Sequence, residues 1–460
     1  MANGENGFVK PHLPLPEGPY MVSHVDVLKK GKGLDGLLLR LYYPTDEDSP
    51  DIFSAQEEWP HWLPEVNKYV EGYSAFVGVW PSVMHLIYRV CIGDFWIPMF
   101  HNRAPKKVSG GYPLVIFSHG LGMCRCSYSY ICMQLASHGF LVAALDHRDG
   151  SSCMTAEAHD GSAENETAWI PYRTLEKGES ELKLRNAQVH QRSEEVRNVL
   201  RFMEELNSGN LDFSSLSLPS DISTLKQIQG EINMEKVVVS GHSFGGATTL
   251  VSLTKEPKFR CLEIIAYDTD WIQSDSEPSL NVPFIEDGPT DEIMGDIEGK
   301  EAGRKSVPYW MPRGRVRGIV GAGIALDSWM YPLQKEEEIL RSIQKPVLFI
   351  NMEAFQTNAN LRAMKKCLNG ACTKKVVTIQ GTVHHNQVDT PFMSNVAWYS
   401  RLASHLIIGP NSKTDHDVAA RLNVALMLEF LWRLLGLEPR EKELKMVQEH
   451  KELLLEGIDQ

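Results

Sequence analysis

Positive charge is scarce in this chain: 46 lysines and arginines stand against 59 aspartates and glutamates over 460 residues, a formal net charge of -13. A balance of that sign repels polyanions, which excludes nucleic acid as a partner, and contact with a lipid surface would have to run through apolar side chains. Cysteine is sparse as well, with eight residues and no CxxC pair. Cys124, Cys126 and Cys132 cluster, but a structural zinc site wants four ligands, so the reading is of free thiols with no metal and no cofactor. An apolar leader is missing too. The first thirty residues are polar and rich in proline, which leaves no signal peptide and makes a cytoplasmic location the expectation. The longest apolar stretch, Val418 to Leu437, is broken by Arg421, Glu429 and Arg433, which fall on one side at helical spacing. It is expected to be a packed helix burying Leu422, Ala425, Leu426, Leu428 and Leu431, and not a membrane span.

What the chain does have is alternation. Strand-like runs occur at Gly36 to Tyr43, Pro113 to Ser118, Phe140 to Leu145, Lys236 to Ser240, Gly323 to Leu326, Lys345 to Asn351 and Lys375 to Gln380. Runs such as Leu114-Val115-Ile116-Phe117 are apolar on both faces, as in parallel strands covered by helices. Helical patterns lie between them at Ser127 to Ser137, Ala187 to Leu206 and Ala247 to Thr254. The expected fold is therefore α/β, a doubly wound, mostly parallel sheet forming one domain over residues 1–460. Two stretches interrupt it. Thr155 to Glu181, apart from Ala168 to Arg173, reads as a polar surface excursion, and residues 262–322, rich in proline and acid, read as a poorly ordered insertion.

Gly241-His242-Ser243-Phe244-Gly245 follows a β-branched run and opens a helix. A serine on such a strand-to-helix turn needs glycines two residues to either side, where a Cβ would collide, and its hydroxyl then stands clear of the sheet beside the free N–H groups of the helix. That is the setting of a nucleophile elbow for acyl transfer. A serine needs a base, and the base needs an acid to fix its tautomer. In this fold they follow in the order Ser, Asp, His. Asp327 ends the run Gly323 to Leu326, and Asp268 ends the rival run Ile264 to Tyr267. His384 and His385 compete as base, since neighbours point in different directions. Phe117-Ser118-His119-Gly120-Leu121-Gly122 offers the second oxyanion donor, so the N–H groups of Leu121 and Phe244 are the candidates, with His119 in a structural role.

These segments resemble the platelet-activating factor acetylhydrolase family, the group VII phospholipase A2 enzymes, and the intracellular type II form more than the secreted one. The likeness rests on Tyr112 to Gly122, Leu135 to Phe140, His147-Arg148-Asp149, Gln188-Val189-His190-Gln191-Arg192, Gly241 to Thr248, Ala325 to Leu333, Met364-Lys365-Lys366 and Gly381 to His384. It implies an α/β-hydrolase fold with Ser243 as nucleophile, Asp327 as acid, His384 rather than His385 as base, and Leu121 and Phe244 as oxyanion donors. The implied reaction is calcium-independent hydrolysis of short or oxidised sn-2 acyl groups of phosphatidylcholine-type lipids. Residues 262–322 are extra relative to the family. Ala2 follows Met1 where the intracellular members resemble Met-Gly starts, so the N-myristoylation motif is lacking.

Between Pro81 and Ile92, helical spacing puts Val83, Leu86, Ile87 and Val90 on one apolar face, a candidate for peripheral membrane contact. Two other functions fit the same residues: a general carboxylesterase, and a catalytically silent lipid-binding protein whose insertion has displaced Asp327. No motif specifies an oligomeric state.

Overall fold

The computed structural model describes residues 9–45, 52–158, 167–256, 320–369, 372–393 and 412–458. The strands are β1 (Met21–Lys29), β2 (Leu37–Thr45), β3 (Phe100–His101), β4 (Tyr112–Ser118), β5 (Leu141–Asp146), β6 (Met154–Ala158), β7 (Thr167–Pro171), β8 (Leu216–Ser217), β9 (Ile232–His242), β10 (Val320–Leu326), β11 (Val347–Met352), β12 (Lys374–Ile379) and β13 (Leu454–Glu456). Eleven of them form one sheet in the order β13-β12-β11-β10-β9-β4-β5-β2-β1-β3, with β8 paired to β1. The six strands from β12 to β5 run parallel, and β13 and β2 join antiparallel at either side.

Strand alternation divides the core between the two faces. Val115, Phe117, Val238, Ile324 and Ile350 belong to one apolar cluster, and Leu114, Ile116, Val239, Ala325 and Phe349 to the other. The first face is covered by α3 (Ser129–Ser137) and a long helix near the C-terminus, His416–Leu434; the second by α4 (Glu181–Ser208), α5 (Ile222–Ile228) and α6 (Phe244–Lys255). Parallel strands covered on both sides are the doubly wound arrangement expected from the unbroken apolar runs. Helix α4 is fixed at both ends: the Ser180 side chain accepts from the Lys183 N–H, and Gly209 closes it with a positive φ of 79°.

The structure adds one strand to the sequence reading and corrects it in three places. Strand β1 was not anticipated, because Asp26 lies fully inside, held by Arg40 and Arg125, and so breaks the apolar pattern. Burial alone would raise the Asp26 pKa, but the two guanidiniums outweigh it and hold the carboxyl far below the usual carboxylate range. The Thr155 to Glu181 excursion opens instead with a hairpin, β6 against β7, with β6 buried throughout. In His416–Leu434 the charges do not share a solvent face, since Glu429 is buried and ion-paired to Arg433 while Arg421 is exposed. The acid strand starts at Val320, so Val320–Ala322 belongs to the sheet, paired to Val237 and Val238. The rest of the expected insertion, Asp268 included, lies outside the described residues. Among those described, no helix is long and apolar enough to cross a membrane.

Candidate active site

Strand β9 ends at His242, and Ser243 caps α6 with φ 57° and ψ −113°, a left-handed backbone that side chains rarely adopt. The flanking glycines make it feasible. A methyl group on Gly245 would sit 2.0 Å from the Ser118 carbonyl oxygen, and one on Gly241 would sit 2.4 Å from the Gly245 carbonyl. The Ser243 N–H is tied to the Leu326 carbonyl of the neighbouring strand at 2.8 Å.

Strand β10 pairs in register with β9, Leu326 opposite His242, so Asp327 emerges beside the elbow. Asp327 also has a positive φ, 42°, and is fully buried. Its Oδ1 accepts from the Met352 N–H at 2.9 Å and from Gln356 Nε2 at 2.6 Å; its Oδ2 faces His384 Nδ1 at 2.6 Å. His384 therefore pairs with Asp327. Phe355 lies against the His384 imidazole with ring centroids 3.7 Å apart, and His242 is 4.4 Å away on the same measure. Among the described residues His385 makes no such pair; it lines the cavity, and burial pushes its pKa down to about 4. The loop that carries both histidines is anchored by Asp389, whose carboxyl accepts from Trp62 Nε1 and from the N–H groups of Ser129 and Tyr130 at the start of α3. Burial still raises that carboxyl to about 7.

Neither the Leu121 N–H nor the Phe244 N–H meets an acceptor among the described residues. Phe244 is the first residue of α6, where an N–H has no partner in its own helix. His119 is buried, with Nδ1 2.7 Å from the Gly120 carbonyl and Nε2 2.7 Å from Ser152 Oγ, in keeping with a structural role. Among the described residues, His242, Asp327 and His384 are the group whose donor atoms stand close enough to hold a metal ion. The Asp327 oxygens and His384 Nδ1 are, however, already committed to the hydrogen bonds above.

Ser243, His384 and Leu121 open onto a cavity of about 490 Å³. Its outer wall comes from α1 (Val66–Val77) and α2 (Pro81–Cys91), with Trp329 and Phe355 on the inner side, and its described lining has no lysine or arginine. Val83, Leu86 and Val90 of α2 are exposed, as is Trp80. Ile87 departs from the expected face: with Met84, Tyr88 and Cys91 it forms cavity wall. Because α2 is apolar around most of its circumference, spacing alone did not separate its two faces. The sequence also gave no hint of Gln356, Phe355 or Trp62, which reach the site from distant loops.

A parallel sheet with a serine on its strand-to-helix turn, an aspartate at the end of the next strand, β10, and its histidine partner in the loop after β12 defines an α/β-hydrolase, and the fold comparison agrees. A ferulic acid esterase from Streptomyces cinnamoneus superposes with a TM-score of 0.51 at 15% identity, over 94% of this chain and 97% of that one. A family profile for "Platelet-activating factor acetylhydrolase, isoform II" matches residues 6–283 and 320–453, and the chain belongs to that family. Platelet-activating factor acetylhydrolases of Gallus gallus and Bos taurus are 33% and 32% identical to it, over 88% and 93% of this chain and 80% and 78% of theirs. A putative phospholipase A2 of Schizosaccharomyces pombe is 27% identical over 46% of this chain and 49% of its own. The profile leaves residues 284–319 unmatched, a narrower gap than the one expected from the resemblance.

Proposed function

We propose that the protein is a serine esterase that hydrolyses short or oxidised sn-2 acyl groups of phosphatidylcholine-type lipids without calcium. The observation that carries this reading is the Asp327–His384 pair beside the elbow serine, at the floor of an apolar cavity. Ser243 Oγ attacks the ester carbonyl, and His384 Nε2 takes its proton while Asp327 holds the Nδ1–H. The N–H groups of Leu121 and Phe244 receive the oxyanion. The lysophospholipid alkoxide leaves with the proton from His384, and water then releases the acid from Ser243 by the same route. A cavity whose described lining is largely apolar and has no lysine or arginine accommodates an acyl chain and offers the phosphate no cationic side chain of that kind.

With purified protein, acetate is expected to be released from an sn-2 acetyl phosphatidylcholine analogue at least about tenfold faster than palmitate from the dipalmitoyl lipid, with no loss in excess chelator. Equal rates on every simple ester tested would favour a general carboxylesterase. Failure to label with an organophosphonate would favour a silent lipid-binding protein.

The exposed face of α2 is the proposed membrane contact. Aspartate at both Val83 and Leu86, which are 46% and 55% exposed, is expected to weaken binding to phosphatidylcholine vesicles by about tenfold or more while sparing a soluble ester. Ile87→Asp should damage both activities because it reaches the cavity. Unaltered vesicle binding in the double variant would rule this contact out.

A further inference from the structure

The segments Gln188 to Arg192 and His147 to Asp149 have no part in the mechanism so far, yet they meet directly beneath the turn that presents Leu121. Arg192, on α4, is completely buried. Its Nη1 donates to the His119 carbonyl at 2.7 Å, and its Nε lies 2.8 Å from Ser151 Oγ and 3.2 Å from Asp149 Oδ2. Ser151 in turn accepts the Gly122 N–H on its carbonyl at 2.8 Å. Arg192 thus fixes the chain on both sides of Leu121. Its guanidinium also lies 4.3 Å from the Phe244 ring, in the residue that supplies the other free N–H.

The peptide planes between these anchors are held as well. The His119–Gly120 peptide is engaged at both ends, its carbonyl by Arg192 and its N–H by Tyr128 Oη at 2.9 Å. In the next peptide, the Gly120 carbonyl faces His119 Nδ1 at 2.7 Å. The His147 N–H can only donate, and it points at His119 Nε2, 3.2 Å away, while the Gly120 carbonyl can only accept, so these two contacts place the ring proton on Nδ1, and Arg192 Nη2, 3.4 Å from that nitrogen, then makes no hydrogen bond to it. A carbonyl held on one side of a trans peptide aims the following N–H to the other, and that N–H belongs to Leu121. The turn abuts the nucleophile, since a methyl group on Gly120 would lie 3.4 Å from the Ser243 Cβ.

We propose that Arg192 is a positioning residue of the oxyanion hole: its guanidinium, gripping His119 and Ser151, keeps the turn between them from rotating the Leu121 N–H away from the substrate carbonyl. The inference rests on the hydrolase reading above. A donor aimed at the oxyanion acts in the transition state more than in the ground state, so its loss lowers kcat and leaves KM nearly unchanged.

The test compares wild type with Arg192→Gln, Arg192→Lys and, as a control for the loss of a buried arginine elsewhere, Arg40→Lys. Active sites are counted by exhaustive phosphonate labelling, so that unfolded protein does not enter kcat, and affinity for a trifluoromethyl ketone reports on the tetrahedral state. Arg192→Gln should lower kcat per labelled site by about 10²-fold and weaken the ketone in parallel, with KM within about threefold. Arg192→Lys should retain the charge but not the fork, and lose about tenfold. Arg40→Lys should match wild type per site. If Arg192→Gln does not fold, Arg192→Lys decides. Unchanged kcat per site, or a kcat loss without a weaker ketone, would overturn the proposal while leaving the hydrolase standing. A wild type that never labels at Ser243 would overturn both.

Discussion

Alanine at Ser243 is expected to lower hydrolysis by about 10⁴-fold or more, and alanine at His384 by a similar factor, because a nucleophile and its base act as one unit. The two neighbouring histidines make the prediction discriminating. His384 holds Asp327 through Nδ1 at 2.6 Å, which leaves Nε2 for the serine proton, whereas His385 touches the site only as cavity wall. His385→Ala should therefore cost less than about tenfold. Turnover of a soluble acetyl ester by the purified variants, at equal concentrations of folded protein, checks all three. Equal losses at His384 and His385 would remove His384 from its assigned role.

Asp327→Asn is expected to be nearly as severe, about 10⁴-fold in kcat at neutral pH. The substitution keeps the shape of the side chain, and asparagine tolerates the positive φ of this position, so the fold should survive. The failure is one of tautomer. The Met352 N–H and Gln356 Nε2 both donate to the Oδ1 position, which compels the asparagine to place its oxygen there and turn its NH₂ toward His384. Nδ1 must then accept, the ring proton moves to Nε2, and the imidazole meets Ser243 as a donor unable to take its proton. A loss below about tenfold would displace Asp327 as the acid and restore Asp268 as the alternative.

Much of this was legible in the sequence where one residue type answers one local demand. The runs Leu114 to Phe117 and Leu141 to Ala144 read as buried parallel strands because both faces are covered, and Gly241 and Gly245 mark the elbow because two carbonyls crowd them. What stayed hidden depends on distant partners. Strand β1 carries Asp26 into the core because Arg40 and Arg125 arrive from elsewhere in the chain, and no window on residues 21–29 contains that information. Gln356 is one polar residue among many until Asp327 comes to face it. The two sides of α2 differ only in what packs beneath them, so Ile87 could be told from Leu86 only after the cavity had formed.

The register of β10 on β9 separates the catalytic edge of the sheet from the point where the connecting chain is anchored. Ser243 and Asp327 leave their strands at the carboxyl edge of the sheet, while α6 runs back to the opposite edge, where Glu256 ends the helix and Val320 begins the next strand. Chain added between those two anchors enters and leaves at the edge remote from the chemistry. The reaction thus demands that one edge of the sheet be held to within about 0.5 Å, while the chain between Glu256 and Val320 is anchored at the other edge, where no reacting group stands.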